Sequence, residues 1–182
     1  MKHIARSLPA ALVLAILLLS ACATPSTSTS NNQPSSGTHQ FGVQTKTSGC
    51  QAHNGLPDSA CTPGAIISTA TTAQICQSGY ASSVRNVPTS EKDQVYAEYG
   101  ITSRYSGQYE VDHLVSLELG GSNEIANLWP ELANPTPGFH QKDQVENYLH
   151  DQVCSGKVSL SQAQQEIATN WLAVYQQMQN GG

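Results

Sequence analysis

The residues best equipped for chemistry lie in the run Glu110 to Glu131, EVDHLVSLELGGSNEIANLWPE. Asp112 and His113 are adjacent there, Gly120-Gly121 follows, and Asn127 comes fourteen residues after His113. Hydrolysis of a phosphodiester needs an activated water and a cation that offsets charge on the phosphate and the leaving oxygen. A neutral His113 is suited by its ordinary pKa to take a proton from water near neutral pH. Asp112 offers the kind of oxygen ligand that Mg²⁺ prefers, with Mn²⁺ as the alternative ion. Adjacent side chains of a regular strand point to opposite faces. The pair therefore reaches one site only where the strand is distorted, or where the metal sits at its edge.

The order Asp-His, Gly-Gly, Asn-Leu resembles the HNH endonucleases. The resemblance covers 110–154, and the wider stretch Cys76 to Tyr175 looks like secreted bacterial proteins carrying the same motif. It implies an α+β fold with a ββα-metal core: an Asp-His pair on the first strand, a glycine-containing loop, Asn-Leu at the second strand, and a metal ligand from the following helix. On this resemblance Asn127 stiffens the loop and orients the His113 ring. His140 is the expected second metal ligand, with Asp143 and Glu131 in reserve, and the expected substrate is DNA or RNA. The sequence departs from the pattern in three ways. Ser116 stands where proline is usual, His140 lies thirteen positions past Asn127, and no zinc-binding cysteines flank the motif.

These residues need elements to hold them. Alternation from Glu110 to Leu119, closed by Gly120-Gly121, predicts a strand. Ser90 is placed to cap a helix running to Tyr99, with Val95, Tyr96 and Tyr99 on its apolar side and Gly100 as its stop. Val145, Tyr148, Leu149 and Val153 form one face of a helix from Gln141 to Cys154, ended by Gly156. Ser161 with Gln164 reads as a capping box, followed by the apolar stripe Ala163, Ile167, Trp171, Leu172, Tyr175. Arg85, Lys92, Arg104 and Lys142 are scattered in sequence; Arg85, Arg104 and Lys142 are the candidate phosphate contacts if they gather beside His113. His53 and His150 read as ordinary surface or core histidines.

The chain opens with Lys2, Arg6 and an apolar run from Leu8 to Leu19, which reads as a secretory leader. That run is about a dozen residues, and a spanning helix needs roughly 20. Leu19-Ser20-Ala21-Cys22 looks like the lipobox of bacterial lipoproteins, so cleavage before Cys22 and lipid attachment to its sulfur are expected. By resemblance to lipoprotein sorting, Ala23 after the cysteine implies the outer membrane. The expected division is a leader at 1–21, a lipid-anchored tether at 22–49 and an HNH-like domain at 50–182. The tether, His39 included, is rich in Ser, Thr, Asn, Gln, Pro and Gly and has little to bury. Its flexible part would span roughly 25 Å.

Without Lys2 and Arg6 the chain keeps six basic residues against thirteen acidic ones, near −7. Such a charge argues against tight nonspecific adhesion to nucleic acid, which draws its affinity from phosphate neutralisation. A transiently binding enzyme is compatible with it. With Cys22 assigned to lipid, Cys50, Cys61, Cys76 and Cys154 form an even set for two disulfides in an oxidising compartment. Three pairings are possible; Cys50 with Cys61 and Cys76 with Cys154 is favoured, because the first closes a short loop. Zinc on these cysteines has poor ligand spacing. The leading expectation is a metal-dependent, nonspecific endonuclease at the cell envelope. A noncatalytic envelope lipoprotein using the fold as a binding scaffold is the alternative, and neither reading names a protein partner.

Overall fold

A computed structural model describes residues 38–181; the leader, Cys22 and the tether up to residue 37 lie outside them. Two short helices, α1 (Thr72–Ile75) and α2 (Tyr80–Val84), precede α3 (Thr89–Glu98). The strands β1 (Tyr109–His113) and β2 (Leu128–Leu132) follow, then α4 (Phe139–Cys154) and α5 (Leu160–Gln179). The architecture is α+β and disulfide-stabilised, with an antiparallel pair that sets Asp112 opposite Trp129 and His113 opposite Leu128. Among the described residues no helix is long and apolar enough to cross a membrane.

The main core lies between α4 and α5. Val145, Leu149 and Val153 recur along one face of α4, and Ala163, Ile167, Trp171 and Val174 along one face of α5. Their helical spacing turns both stripes toward one another and toward Leu114, Val115, Leu119 and Trp129. A second cluster, Val95, Tyr96, Val111 and Leu128, seats α3 against the strands. The Trp171 indole N–H donates to the Gly55 carbonyl at 2.7 Å, so this fully buried ring leaves no donor unpaired.

Several boundaries differ from expectation. The strand ends at His113 rather than Leu119, and Leu117–Leu119 is a turn of 3₁₀ helix. Beyond His113 the backbone of Val115 bonds to the Asn127 side chain, and Ser116 Oγ accepts from the Glu118 N–H at 3.2 Å, which turns the chain away from β2. Gly120 closes the turn at φ +74°, and a Cβ on Gly121 would overlap the Val115 carbonyl. Helix α3 begins at Thr89, after Pro88, rather than on a Ser90 cap. Helix α4 begins at Phe139, where the Gln141 side chain accepts from the Gly138 N–H at 2.9 Å. Ser159, not Ser161, caps α5 by accepting from the Gln162 N–H at 3.1 Å.

The packed part of the chain starts before Cys50, which corrects the expected end of the tether. The His39 N–H donates to Gln165 and its ring meets the Pro63 carbonyl, both at 2.5 Å. Phe41 packs on the main core. Gly42 donates to the Gly64 carbonyl at 3.0 Å, and Lys46 pairs with Asp58 at 2.8 Å. The disulfides are Cys50–Cys61 and Cys76–Cys154, with Cα separations of 6.0 and 5.6 Å, which are the favoured pairings. They belong to a compartment in which thiols oxidise.

Candidate functional site

Asp112 and His113 stand at the end of β1, where the hairpin meets the first turns of α4. The Asp112 carboxylate accepts from the His113 backbone N–H through Oδ1 at 2.8 Å and from the Lys142 ammonium through Oδ2 at 2.7 Å. Lys142 is fully buried. Its three N–H donors go to Asp112, to the His113 carbonyl at 2.8 Å and to Glu146 Oε1 at 2.5 Å. Burial opposes both charges of the Asp112–Lys142 pair, and their attraction overrides it. Asp112 is held below the usual carboxylate range and Lys142 above the usual amine range.

Two further carboxyls complete the cluster. Burial raises Glu146 to about 7 against the pull of Lys142, and the Ser116 hydroxyl donates to its second oxygen at 2.8 Å. Glu131 is buried beside Asp112, and burial pushes it well above the ordinary range. As a carboxylate it has no donor on either oxygen. Carrying a proton, it becomes a donor toward Asp112, a contact that adds to the effect of Lys142 on Asp112 and to the effect of burial on Glu131.

His113 is only 2% exposed. Its Nε2 lies 3.3 Å from Asn123 Oδ1, and Asn123 is itself held by donating to the Val84 carbonyl at 2.8 Å and accepting from the Asn86 N–H at 3.1 Å. With Oδ1 turned to the ring, Nε2 carries the proton and Nδ1 keeps its lone pair. Burial lowers the imidazole pKa to about 4, against the nearby charge of Asp112, so the ring is neutral at pH 7.

Asn127 stiffens the loop without touching the His113 ring. Its Oδ1 accepts from Val115 at 2.9 Å and Ala65 at 3.3 Å, and its Nδ2 donates to the Val115 and Ser122 carbonyls at 3.0 and 2.8 Å. The orienting contact expected of it is made by Asn123 instead. An asparagine two residues past Gly-Gly, on a tight turn, was the only available sequence signal for that role.

The remaining expected residues divide. Arg85, exposed beyond the end of α2, lies close enough for its charge to bear on His113, Glu110 and Asp143. Arg104 stands 3.7 Å over the Tyr96 ring and 3.5 Å from Asp93, so it packs on α3 rather than gathering beside His113. Lys142 has spent all its donors internally and is not free to hold phosphate. His140 is exposed, with its ring 4.2 Å from that of Phe139, and Lys142 is the α4 residue that reaches Asp112. Asp143 is exposed; partial desolvation of its carboxyl and then the Asp112 charge raise its pKa. Glu146, Ser116 and Glu110 were not anticipated. The helical offset of Lys142 from Val145 and Leu149 did place that lysine on the buried stripe.

These residues do not fit a divalent ion on Asp112 and His140. Both Asp112 oxygens are engaged, and an ammonium already supplies the positive charge beside them. One group among the described residues can hold a metal: single ligand atoms of Cys76, His150 and Cys154 all lie within 4.8 Å of one another. His150 Nε2 is 3.4 Å from Cys154 Sγ and 3.0 Å from the Ile75 carbonyl. The two sulfurs are joined as a disulfide, and metal ligation there needs them as thiolates. Comparison of the chain with protein-family models, with curated proteins and with solved structures gave no match.

Proposed function

We propose that this chain is an exported lipoprotein, anchored through Cys22, whose domain is an HNH-like phosphodiesterase cutting DNA or RNA at the cell envelope. One observation carries the reading: a β hairpin followed directly by a helix, with Asp112-His113 at the end of its first strand and Asn127 tying the connecting loop. In the proposed step, His113 Nδ1 takes a proton from water as the water oxygen attacks phosphorus. The bond from phosphorus to the leaving oxygen breaks, and that oxygen takes a proton from solvent. Arg85 draws the phosphate. The Mg²⁺ or Mn²⁺ implied by the resemblance enters no step, because the Asp112 and His140 positions do not suit it.

The test is incubation of the full chain with plasmid DNA and with RNA, in chelator and with added Mg²⁺ or Mn²⁺. Cleavage that disappears in His113→Ala supports the reading. No cleavage under any condition, or equal cleavage by the variant, removes it.

A second reading, a noncatalytic binding scaffold, is favoured by one specific feature: His113 is sealed under Asn123 with an imidazole held at about 4, far below the value that suits a general base near neutrality. A folded chain that never cleaves would establish it over the first.

A further inference from the structure

We infer that the Lys142 ammonium takes the place of the divalent cation beside Asp112, so that this site has no resident metal ion. The catalytic half of the inference rests on the phosphodiesterase reading; the binding half does not. Asp112 Oδ2, Glu146 Oε1 and the His113 carbonyl converge on Nζ at 2.7, 2.5 and 2.8 Å, and Glu131 stands beside them. Carboxylates and a backbone carbonyl around one point are the donor set a hard cation takes. Here the helix delivers the cation covalently. Lys142 precedes Val145 and Leu149 by three and seven residues, so the periodicity that buries those side chains aims the lysine at the strand end.

The ammonium and a metal ion exclude one another. Two cations within a few ångströms repel strongly where water is scarce. Each Asp112 oxygen also already accepts a hydrogen bond, Oδ2 from the ammonium itself. Lys142 is therefore a positioning residue: it keeps Asp112 ionised and fixes the His113 backbone, while its own head never meets substrate. Charge on a bound phosphate falls to Arg85, the exposed cation whose field reaches His113.

The experiment is a Mn²⁺ titration of the full chain with its disulfides oxidised, followed by paramagnetic broadening of the Asp112, His113 and Leu114 amide signals. The expected result is no saturable broadening in the wild type at millimolar Mn²⁺. In Lys142→Ala, whose oxygens then face a vacancy, saturable broadening is expected at those same amides. Chelator should change plasmid cleavage less than about twofold.

Saturable broadening in the wild type overturns the inference. So does a folded Lys142→Ala that binds no Mn²⁺, or cleavage that chelator abolishes and Mg²⁺ restores. If the variant does not fold, the wild-type titration decides alone. If the chain cleaves nothing, the phosphodiesterase reading falls and the titration still decides whether Lys142 fills the cation position.

Discussion

The Asn127 side chain grips Val115 from both sides, accepting from its N–H at 2.9 Å and donating to its carbonyl at 3.0 Å. A side-chain amide presents a donor and an acceptor side by side, as a neighbouring strand would. It therefore pairs with the backbone at the point where β1 has no further partner. The strand ends two residues earlier, and the chain turns back through Gly120 and Gly121 to reach β2.

Truncation of that amide is expected to be costly. In Asn127→Ala the buried N–H of Val115 and the carbonyls of Val115 and Ser122 lose their partner. At about 1–3 kcal/mol for each buried group left unsatisfied, a loss of at least about 3 kcal/mol follows. Urea unfolding measures it. A loss below about 1 kcal/mol would mean that water or a relaxed loop replaces the amide.

Stability should also carry a mark of His113. Burial holds its pKa at about 4 from a reference of 6.5, so between those values the unfolded chain binds a proton there that the folded chain does not. Its contribution is fully present above about pH 6.5 and is lost as pH falls toward 4, a span of about 3 kcal/mol. Glu146 works in the opposite sense. Raised by burial to about 7 from 4.5, it contributes fully below pH 4.5 and its stabilisation is lost as pH rises through about 7.

The two slopes oppose one another over the shared window, so the wild-type profile alone is uninformative. The expected signature is the difference profile: His113→Gln should lose less stability than wild type on acidification from about pH 7 to 4. In the wild type the His113 ring proton signals should show no titration step near 6.5; a step there would place the ring in solvent.

The disulfides should contribute unequally. Cys76–Cys154 spans 78 residues and Cys50–Cys61 spans 11. By loop entropy these correspond to about 4.5 and about 3 kcal/mol. Cys76→Ser with Cys154→Ser is thus expected to lower the urea midpoint more than the Cys50→Ser, Cys61→Ser pair. The reverse order would show that the local loop, which carries the contacts of Thr45 and Lys46 to Ala60 and Asp58, matters more than the long closure.

The segment ahead of Cys50 should stabilise the domain. Phe41 packs on the main core beside Gly64 and Leu114. A chain beginning at Cys50 should unfold at lower urea than one beginning at residue 38, and Phe41→Ala alone should cost about 1–3 kcal/mol for a partly buried ring. Equal midpoints would return residues 38–49 to the tether.

Sequence alone determined the periodic and the local. The stripes of α4 and α5 are readable because helical spacing records which face is buried, and the cysteine pairing is readable because an even set with one short separation narrows the choice. The adjacency of Asp112 and His113 also lay in the linear order, whereas the loop role of Asn127 was implied only by the HNH resemblance. The tertiary structure decided what approaches from a distance. It placed Lys142 rather than His140 at Asp112, Asn123 rather than Asn127 at His113, and residues 38–49 on the core rather than in the tether. Composition is blind to such choices. A lysine's solvation cost is outweighed only when Asp112, Glu146 and a carbonyl, remote in sequence, converge on it, and that convergence exists only in the folded chain.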